Sequence, residues 1–187
     1  MEKLEFPAGF EWSTATAAHQ IEGGNVNNDW WRFEHIDGSV CAESSGDACD
    51  SWNRWADDIA VLTDIGIPGY RFSIEWSRIE PAPGEWSIAA LDNYVRFAEA
   101  LRAVGIAPTI TLHHFTTPTW LADRGGWAAP DVAERFGRFA EFAAARLGPL
   151  AHRFCTLNEP NSMAAVGYLM GCFPPGAVKD RKSTRLN

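Results

Sequence analysis

The fold and the chemistry of this chain are decided by one stretch, Arg153-Phe154-Cys155-Thr156-Leu157, and by the Asn158-Glu159-Pro160 that follows it. The alternation of apolar and polar residues from Arg153 to Leu157 predicts a short strand. Pro160 has no backbone N–H to donate to a sheet, so the pairing ends there. An amide and a carboxylic acid therefore lie side by side at the carboxyl end of a strand. Taken alone, the pair is equally consistent with a turn-forming Asn and a solvated Glu.

Three earlier segments repeat the same strand pattern. We predict strands near Glu11 to Thr14, from Gly69 to Trp76 and from Pro108 to Phe115. Apolar residues recur at helical spacing between and after them. This periodicity predicts helices between the strands, listed here by residue number: 51–65, 91–104, 130–147 with Pro130 as the first helical residue, and 161–170.

Strands that alternate with helices indicate a parallel sheet covered by helices. A doubly wound sheet normally has a Gly-rich turn after its first strand, and Ala17-Ala18-His19-Gln20 is not one. We therefore expect the α/β class and a (β/α)8 TIM barrel, in which chemistry is placed at the carboxyl ends of the strands.

A complete barrel of this kind needs about 250 residues, and the 187 residues here provide about four βα units. We expect residues 1–178 to be the amino-terminal half of a barrel catalytic domain. Residues 179–187 carry four basic residues and one acid. We interpret them as a basic tail that is not native to the domain, the alternative being a flexible basic loop.

Composition excludes some classes of partner and favours others. The net charge of −8 argues against nucleic acid or an anionic membrane as the main partner. The amino terminus lacks the apolar core of a secretion signal, so the expected compartment is the cytoplasm. Nine tryptophans favour a carbohydrate ligand, because sugar sites use flat aromatic faces. Cys41 and Cys49 share one loop, and whether they pair depends on the redox compartment.

A Glu at the end of a barrel strand indicates acid–base chemistry, and glycosidic bonds are cleaved by two carboxyl groups. Glu159 is the candidate acid/base, and we expect burial and a second carboxylate to raise its pKa. Asn158 is placed to hydrogen-bond a sugar hydroxyl beside the reacting carbon.

Three further polar residues are candidates on or near the ends of the earlier strands. Arg71 lies within an apolar strand and is expected to hold an ionised Glu, or to form an internal salt bridge with Glu75 or Asp64. Gln20 offers both a donor and an acceptor to sugar hydroxyls, or stabilises a loop. His114 and its neighbour in the strand point to opposite faces, so one of them lines the site. No set of residues has metal-ligand spacing, and we expect no metal.

Four motifs in this order resemble glycoside hydrolase family 1, the β-glucosidase family. They are Phe6 to Gly23 with its Ala17-Ala18-His19-Gln20-Ile21-Glu22-Gly23 ending, Tyr70 to Ile79, Leu112-His113-His114-Phe115, and Thr156-Leu157-Asn158-Glu159-Pro160. Together they cover the chain from about Phe6 to Gly176.

The resemblance implies a retaining, two-step β-glycosidase that needs no cofactor and acts on small β-linked glucosides or galactosides. It implies that Glu159 is the acid/base and that Arg71 contacts the nucleophile. It also implies that Gln20, His114 and Asn158 bind the non-reducing sugar.

One departure affects the expected activity. The family nucleophile is a Glu in a Thr-Glu-Asn-Gly motif, and this motif does not occur in the sequence. We therefore expect the chain by itself to be inactive. A 6-phospho-β-glycosidase and a non-catalytic sugar-binding relative remain alternatives. Phe115 stands where many family members have Trp.

Overall fold

The computed structural model describes residues 5–176 and contains one parallel sheet of four strands in the order β1-β2-β3-β4. The strands are β1 (Ser13–Ala15), β2 (Gly69–Ser73), β3 (Ala107–His113) and β4 (Arg153–Leu157). The spatial order follows the chain order without a reversal, as in a barrel and unlike a doubly wound sheet. The expected α/β class with four βα units of a barrel is confirmed.

The connections between the strands are mostly helical. The α-helices are α1 (Ala18–Ile21), α2 (Asp29–Glu34), α3 (Ser51–Asp64), α4 (Trp76–Ile79), α5 (Ile88–Ala103), α6 (Thr119–Ala122), α7 (Val132–Leu147) and α8 (Pro160–Ser162). A short 3₁₀ turn (Gly126–Ala128) precedes α7, and a π-helix (Met163–Met170) continues α8.

Side chains of the central strands alternate between two faces of the sheet. Tyr70, Phe72, Ile110 and Leu112 are buried in the hydrophobic core between sheet and helices. The intervening residues point to the other face, the inside of the barrel curve, where Arg71 of β2 reaches across to Thr111 of β3. This alternation is what separates the core from the candidate site.

The helix layer packs chiefly through α5 and α7. Leu91 and Leu101 of α5 and Phe139 of α7 are fully buried. The Trp76 ring of α4 stacks on Phe139, with the two centroids 4.8 Å apart. Ser87 explains where α5 begins, because its side chain accepts a hydrogen bond from the backbone N–H of Ala90.

Several boundaries differ from the predicted ones. Strand β1 begins two residues later than expected, and β2 ends at Ser73, so that Trp76 starts α4 instead of closing a strand. Pro130 is not the first helical residue, because α7 begins at Val132. The predicted helix 161–170 is largely a π-helix, a form that the 3.6-residue periodicity does not distinguish from an α-helix.

Two further expectations from the sequence concern the basic tail and the cysteines. The predicted basic tail, residues 179–187, lies outside the described residues. Cys41 and Cys49 are both free thiols in the structure. In the described part of the chain, no helix has the length and apolarity that crossing a bilayer requires.

The buried position of Leu101 generates a stability prediction. Replacing Leu101, which has no exposed surface, by Ala leaves a cavity in the core. We expect Leu101→Ala to lower the free energy of unfolding by about 2–5 kcal/mol, measured by denaturant titration of tryptophan fluorescence. Leu169→Ala is the matched control, since Leu169 is 60% exposed, and its effect should stay within about 0.5 kcal/mol. Equal effects would contradict the described core.

Candidate active site

The carboxyl ends of β2, β3 and β4 bring three predicted site residues together through the guanidinium of Arg71. Its Nε donates to Thr111 Oγ1 at 2.8 Å, and one Nη donates to Asn158 Oδ1 at 2.6 Å. The same Nη lies 3.7 Å from Cys155 Sγ. Because these partners come from neighbouring strands, Arg71 joins the strand ends into one polar surface.

This contact also orients Asn158 and His114. Arginine can only donate, so the oxygen of the Asn158 amide must face Arg71 and its Nδ2 must point away. That Nδ2 lies 3.3 Å from His114 Nε2. His114 therefore accepts at Nε2, and a neutral ring carries its proton on Nδ1.

The protonation of His114 agrees with this geometry. Burial, followed by the positive charge of Arg71, lowers the pKa of His114 from 6.5 to about 4, although Glu159 and Glu75 oppose the shift. His114 is therefore neutral at pH 7. It is an uncharged acceptor for the Asn158 amide.

The neighbouring His113 has a structural place instead. The ring of His113 is buried, and Trp127 Nε1 donates to His113 Nε2 at 3.1 Å. Burial, with the adjacent His114, lowers the pKa of His113 to about 3. Of the two histidines, His114 is the one that lines the cavity described next.

Gln20 and His114 face the same cavity, although they lie far apart in the sequence. The cavity has a volume of about 360 Å³. Gln20 is exposed on the short helix α1, and His114 follows β3. The cavity is lined by Ala17, His19, Gln20, Trp30, Glu34, Cys41, Glu43, Ser44, Ser45, His114, Phe115, Thr116 and Phe173.

Glu159 follows Asn158 but is exposed, and it is not among the residues that line this cavity. The expected burial of Glu159 is therefore not found in the described chain. Its backbone is left-handed, with φ 44° and ψ 57°, a conformation that non-glycine residues adopt at a cost. Its carbonyl accepts from Met163 N at 3.0 Å, which places Glu159 at the start of α8.

The expected carboxylate partner of Arg71 is not found in residues 5–176, and neither alternative salt bridge forms there. Glu75 is fully buried and uses its carboxylate elsewhere. Its oxygens accept from Asn25 Nδ2, Thr116 Oγ1 and Ser77 Oγ, each at 2.8 Å. The charge of Arg71 is therefore met only by neutral groups of the described chain.

The sequence did not predict a second cluster of buried charges, which forms around Glu22, two residues after Gln20. Glu22 accepts from Tyr94 OH at 2.7 Å and from Arg78 Nε at 2.9 Å, and the Arg78 guanidinium lies 4.2 Å from the centre of the Trp52 ring. Burial raises the pKa of Glu22 to about 7, although Arg78 and Tyr94 oppose this shift. These contacts fasten the end of α1 to the core. Long-range partners of this kind leave no periodic signal in a sequence.

The raised pKa of Glu22 predicts a pH dependence of stability. The folded protein holds this proton more tightly than the unfolded chain does, so the contribution of Glu22 to stability falls as pH rises from about 4.5 to about 7. The loss is on the order of 3 kcal/mol. Because Gln mimics the protonated acid, we expect Glu22→Gln to flatten the slope of unfolding free energy against pH over this range. Glu99→Gln, at an exposed position of α5, should keep the slope.

The Arg71 contact predicts the titration of His114. Removing the positive charge in Arg71→Met should raise the pKa of His114 above its value of about 4. It should stay below 6.5, because burial is the larger cause. NMR titration of the His114 ring measures this shift. Arg102→Met, on the exposed side of α5, should leave the titration unchanged, and an equal shift in both variants would refute the assigned cause.

The chain is similar to proteins of known activity over nearly its whole length. The sequence model of glycosyl hydrolase family 1 matches residues 2–185. Beta-glucosidase A of Acetivibrio thermocellus is 39% identical, over 98% of this chain and 42% of the relative. The human cytosolic beta-glucosidase is 36% identical, over 92% of this chain and 39% of the relative. The chain thus spans about two fifths of the length of these curated relatives.

Solved structures give the same result. The AHE enzyme of Alicyclobacillus herbarius superimposes with a TM-score of 0.91 at 41% identity, covering 99% of this chain and 43% of that one. The beta-glucosidase of Thermotoga maritima, solved with cyclophellitol, gives 0.88 at 38% identity, covering 91% and 41%. The same enzyme has also been solved with castanospermine. With its four motifs, its parallel barrel strands and a family match from end to end, this chain belongs to glycosyl hydrolase family 1.

Proposed function

We propose that the protein to which this chain belongs is a retaining β-glycosidase that hydrolyses small β-glucosides or β-galactosides. Glu159 donates a proton to the leaving oxygen and afterwards takes one from water. The nucleophile is a carboxylate from outside this chain, so the chain alone is inactive.

The observation that carries the proposal is the guanidinium of Arg71, whose partners in the described chain are Thr111, Cys155 and Asn158, all neutral. A retaining enzyme needs an ionised carboxylate opposite its acid, and a positive charge at the strand ends keeps such a group ionised. Arg71 also fixes Asn158, directly before Glu159. The nucleophile would therefore lie on the same polar surface as the acid/base.

The sugar would occupy the cavity between Gln20 and His114, where the Gln20 amide offers both a donor and an acceptor to hydroxyl groups. The aromatic ring of Trp30 on the same cavity suits the apolar face of a pyranose. The charged residues of its lining are Glu34 and Glu43, without Lys or Arg. This acidic lining favours an uncharged sugar over the 6-phosphorylated alternative. A binding protein without catalysis would need no proton donor at Glu159.

The test joins residues 1–176 to the carboxyl-terminal part of the Thermotoga maritima enzyme that lies beyond its match to this chain. We expect this chimera to hydrolyse 4-nitrophenyl β-D-glucoside and the 187-residue chain to release no nitrophenol. Glu159→Gln in the chimera should lower turnover by about 10²–10⁴-fold, because it removes the proton donor.

The control is Glu141→Gln, an equivalent change at an exposed position of α7. It should leave turnover within about twofold of the parent chimera, as expected of surface substitutions. Far-UV circular dichroism checks that each chimera is folded. Turnover that survives in Glu159→Gln would remove Glu159 from the acid/base role. Turnover by the chain alone would place a nucleophile within it.

A further inference from the structure

The ring of His19, the neighbour of Gln20, is held at both nitrogens by α2. Asn28, at the N-terminal cap of α2, accepts from Trp31 N through Oδ1, so its Nδ2 is the atom that faces His19 Nδ1 at 3.2 Å. An amide NH₂ can only donate, and His19 therefore accepts at Nδ1 and donates at Nε2. That Nε2 lies 2.5 Å from Glu34 Oε1, at the last residue of α2.

The second oxygen of Glu34 binds the loop that follows α2. Oε2 accepts from the backbone N–H of Ser45 at 2.6 Å. The Glu34 side chain is only 5% exposed, and no Lys or Arg of residues 5–176 forms an ion pair with it. Burial raises the pKa of Glu34, but the hydrogen bonds from Ser45 and His19 outweigh burial and leave the pKa below its usual value. The carboxylate is thus ionised, with each oxygen used by one donor.

The segment bound in this way forms one wall of the cavity that contains Gln20 and His114. Residues 41–45 contain no helix or strand, and Cys41, Glu43, Ser44 and Ser45 all line the cavity. Gln20 is the residue that follows His19 in the sequence. A single carboxylate therefore links His19, the neighbour of Gln20, to the 41–45 segment of the cavity wall.

The remainder of this loop is fastened independently of Glu34. Gly24 N donates to Gly46 O at 2.8 Å, and Cys49 N donates to Ile21 O at 3.2 Å. Gly23 allows this approach, because a Cβ at that position would lie 2.1 Å from the Asp47 carbonyl oxygen. Loss of Glu34 should therefore release residues 41–45 while the rest of the loop and the sheet stay in place.

We propose that Glu34 is a positioning residue of the sugar cavity, which holds His19 and the 41–45 segment at a fixed separation so that Gln20 and this wall enclose one pyranose. The inference rests on the proposed function, because that function assigns the cavity to a sugar. Glu34 acts through its two donors, His19 and Ser45, whose positions it fixes at the edge of the cavity.

The experiment compares the full 187-residue chain with Glu34→Gln. The new side chain would present an amide NH₂ to one of two donors, His19 Nε2 or Ser45 N, so at least one of these hydrogen bonds is lost. Hydrogen exchange read by mass spectrometry reports the wall segment. NMR titration with methyl β-D-glucopyranoside reports the cavity. Glu99→Gln is the matched control, because it makes the same change at an exposed side chain of α5 that does not line the cavity.

We expect Glu34→Gln to speed exchange of the 41–45 peptide by about tenfold or more while peptides of β2 and β3 are unchanged. We expect its dissociation constant for the glucoside to rise by about tenfold, and that of Glu99→Gln to stay within about twofold. Glu34→Asp, which keeps the charge but shortens the side chain, should recover part of the affinity. It also serves if Glu34→Gln does not fold, and its affinity should then lie below that of the parent chain.

Each other result decides between the proposals. If the parent chain binds the glucoside and Glu34→Gln changes neither exchange nor affinity, the positioning role is wrong while the sugar cavity stands. If exchange changes but affinity does not, Glu34 only stabilises the loop and the inference also fails. If the parent chain shifts none of the Gln20 or His114 signals with the glucoside, the assignment of the cavity to a sugar fails first, and the positioning role falls with it.

Discussion

The charge of Arg71 is the constraint on which the rest of the site depends. A guanidinium on the inner face of a sheet must be hydrogen-bonded, and here two of its donors bind Thr111 on the next strand and Asn158 beyond the fourth. Because it only donates, it sets the amide orientation of Asn158, and that amide in turn sets the tautomer of His114. The positive charge of Arg71 thus determines which atoms donate and which accept, first at Asn158 and then at His114.

The barrel strands make this transfer possible by dividing their side chains between two faces. Tyr70 and Phe72 anchor β2 in the hydrophobic core, and Arg71 between them is forced onto the opposite face. Parallel pairing brings the carboxyl ends of β2, β3 and β4 to one edge of the sheet. Apolar burial therefore provides the rigidity, and polar residues at the ends of the strands provide the chemistry.

Much of this arrangement could be predicted from the sequence, because the signals are local. The strand Arg153–Leu157 has the predicted bounds, since alternation begins there and Pro160 ends pairing shortly after it. His114 and Asn158 come together because each follows a parallel strand, and Arg71 reaches Asn158 from within β2. The exposure of Glu159 was not predictable, because it depends on which parts of a protein surround a strand end and not on the strand itself.

The partners of buried charges were equally out of reach. The sequence places His19 beside Gln20, but nothing in the spacing identifies Asn28 and Glu34 as its partners, since both contacts depend on how α2 folds back. The same holds for Glu22 with Arg78, which are 56 residues apart. Helix caps offered a partial signal: Asn28 precedes a run typical of a helix start, and a cap residue with a free NH₂ has a donor left to give.

The left-handed backbone at Glu159 has a consequence for how this site evolves. Glycine or asparagine would occupy that conformation more cheaply, and the difference is about 1–2 kcal/mol. A population that drifts under selection for folding alone should therefore lose the glutamate early and gain thermal tolerance in doing so. Under the role proposed for Glu159, a homologous gene that keeps glutamate at this position records continued selection for turnover, whereas glycine or asparagine there marks a lineage that has given up catalysis while keeping the barrel.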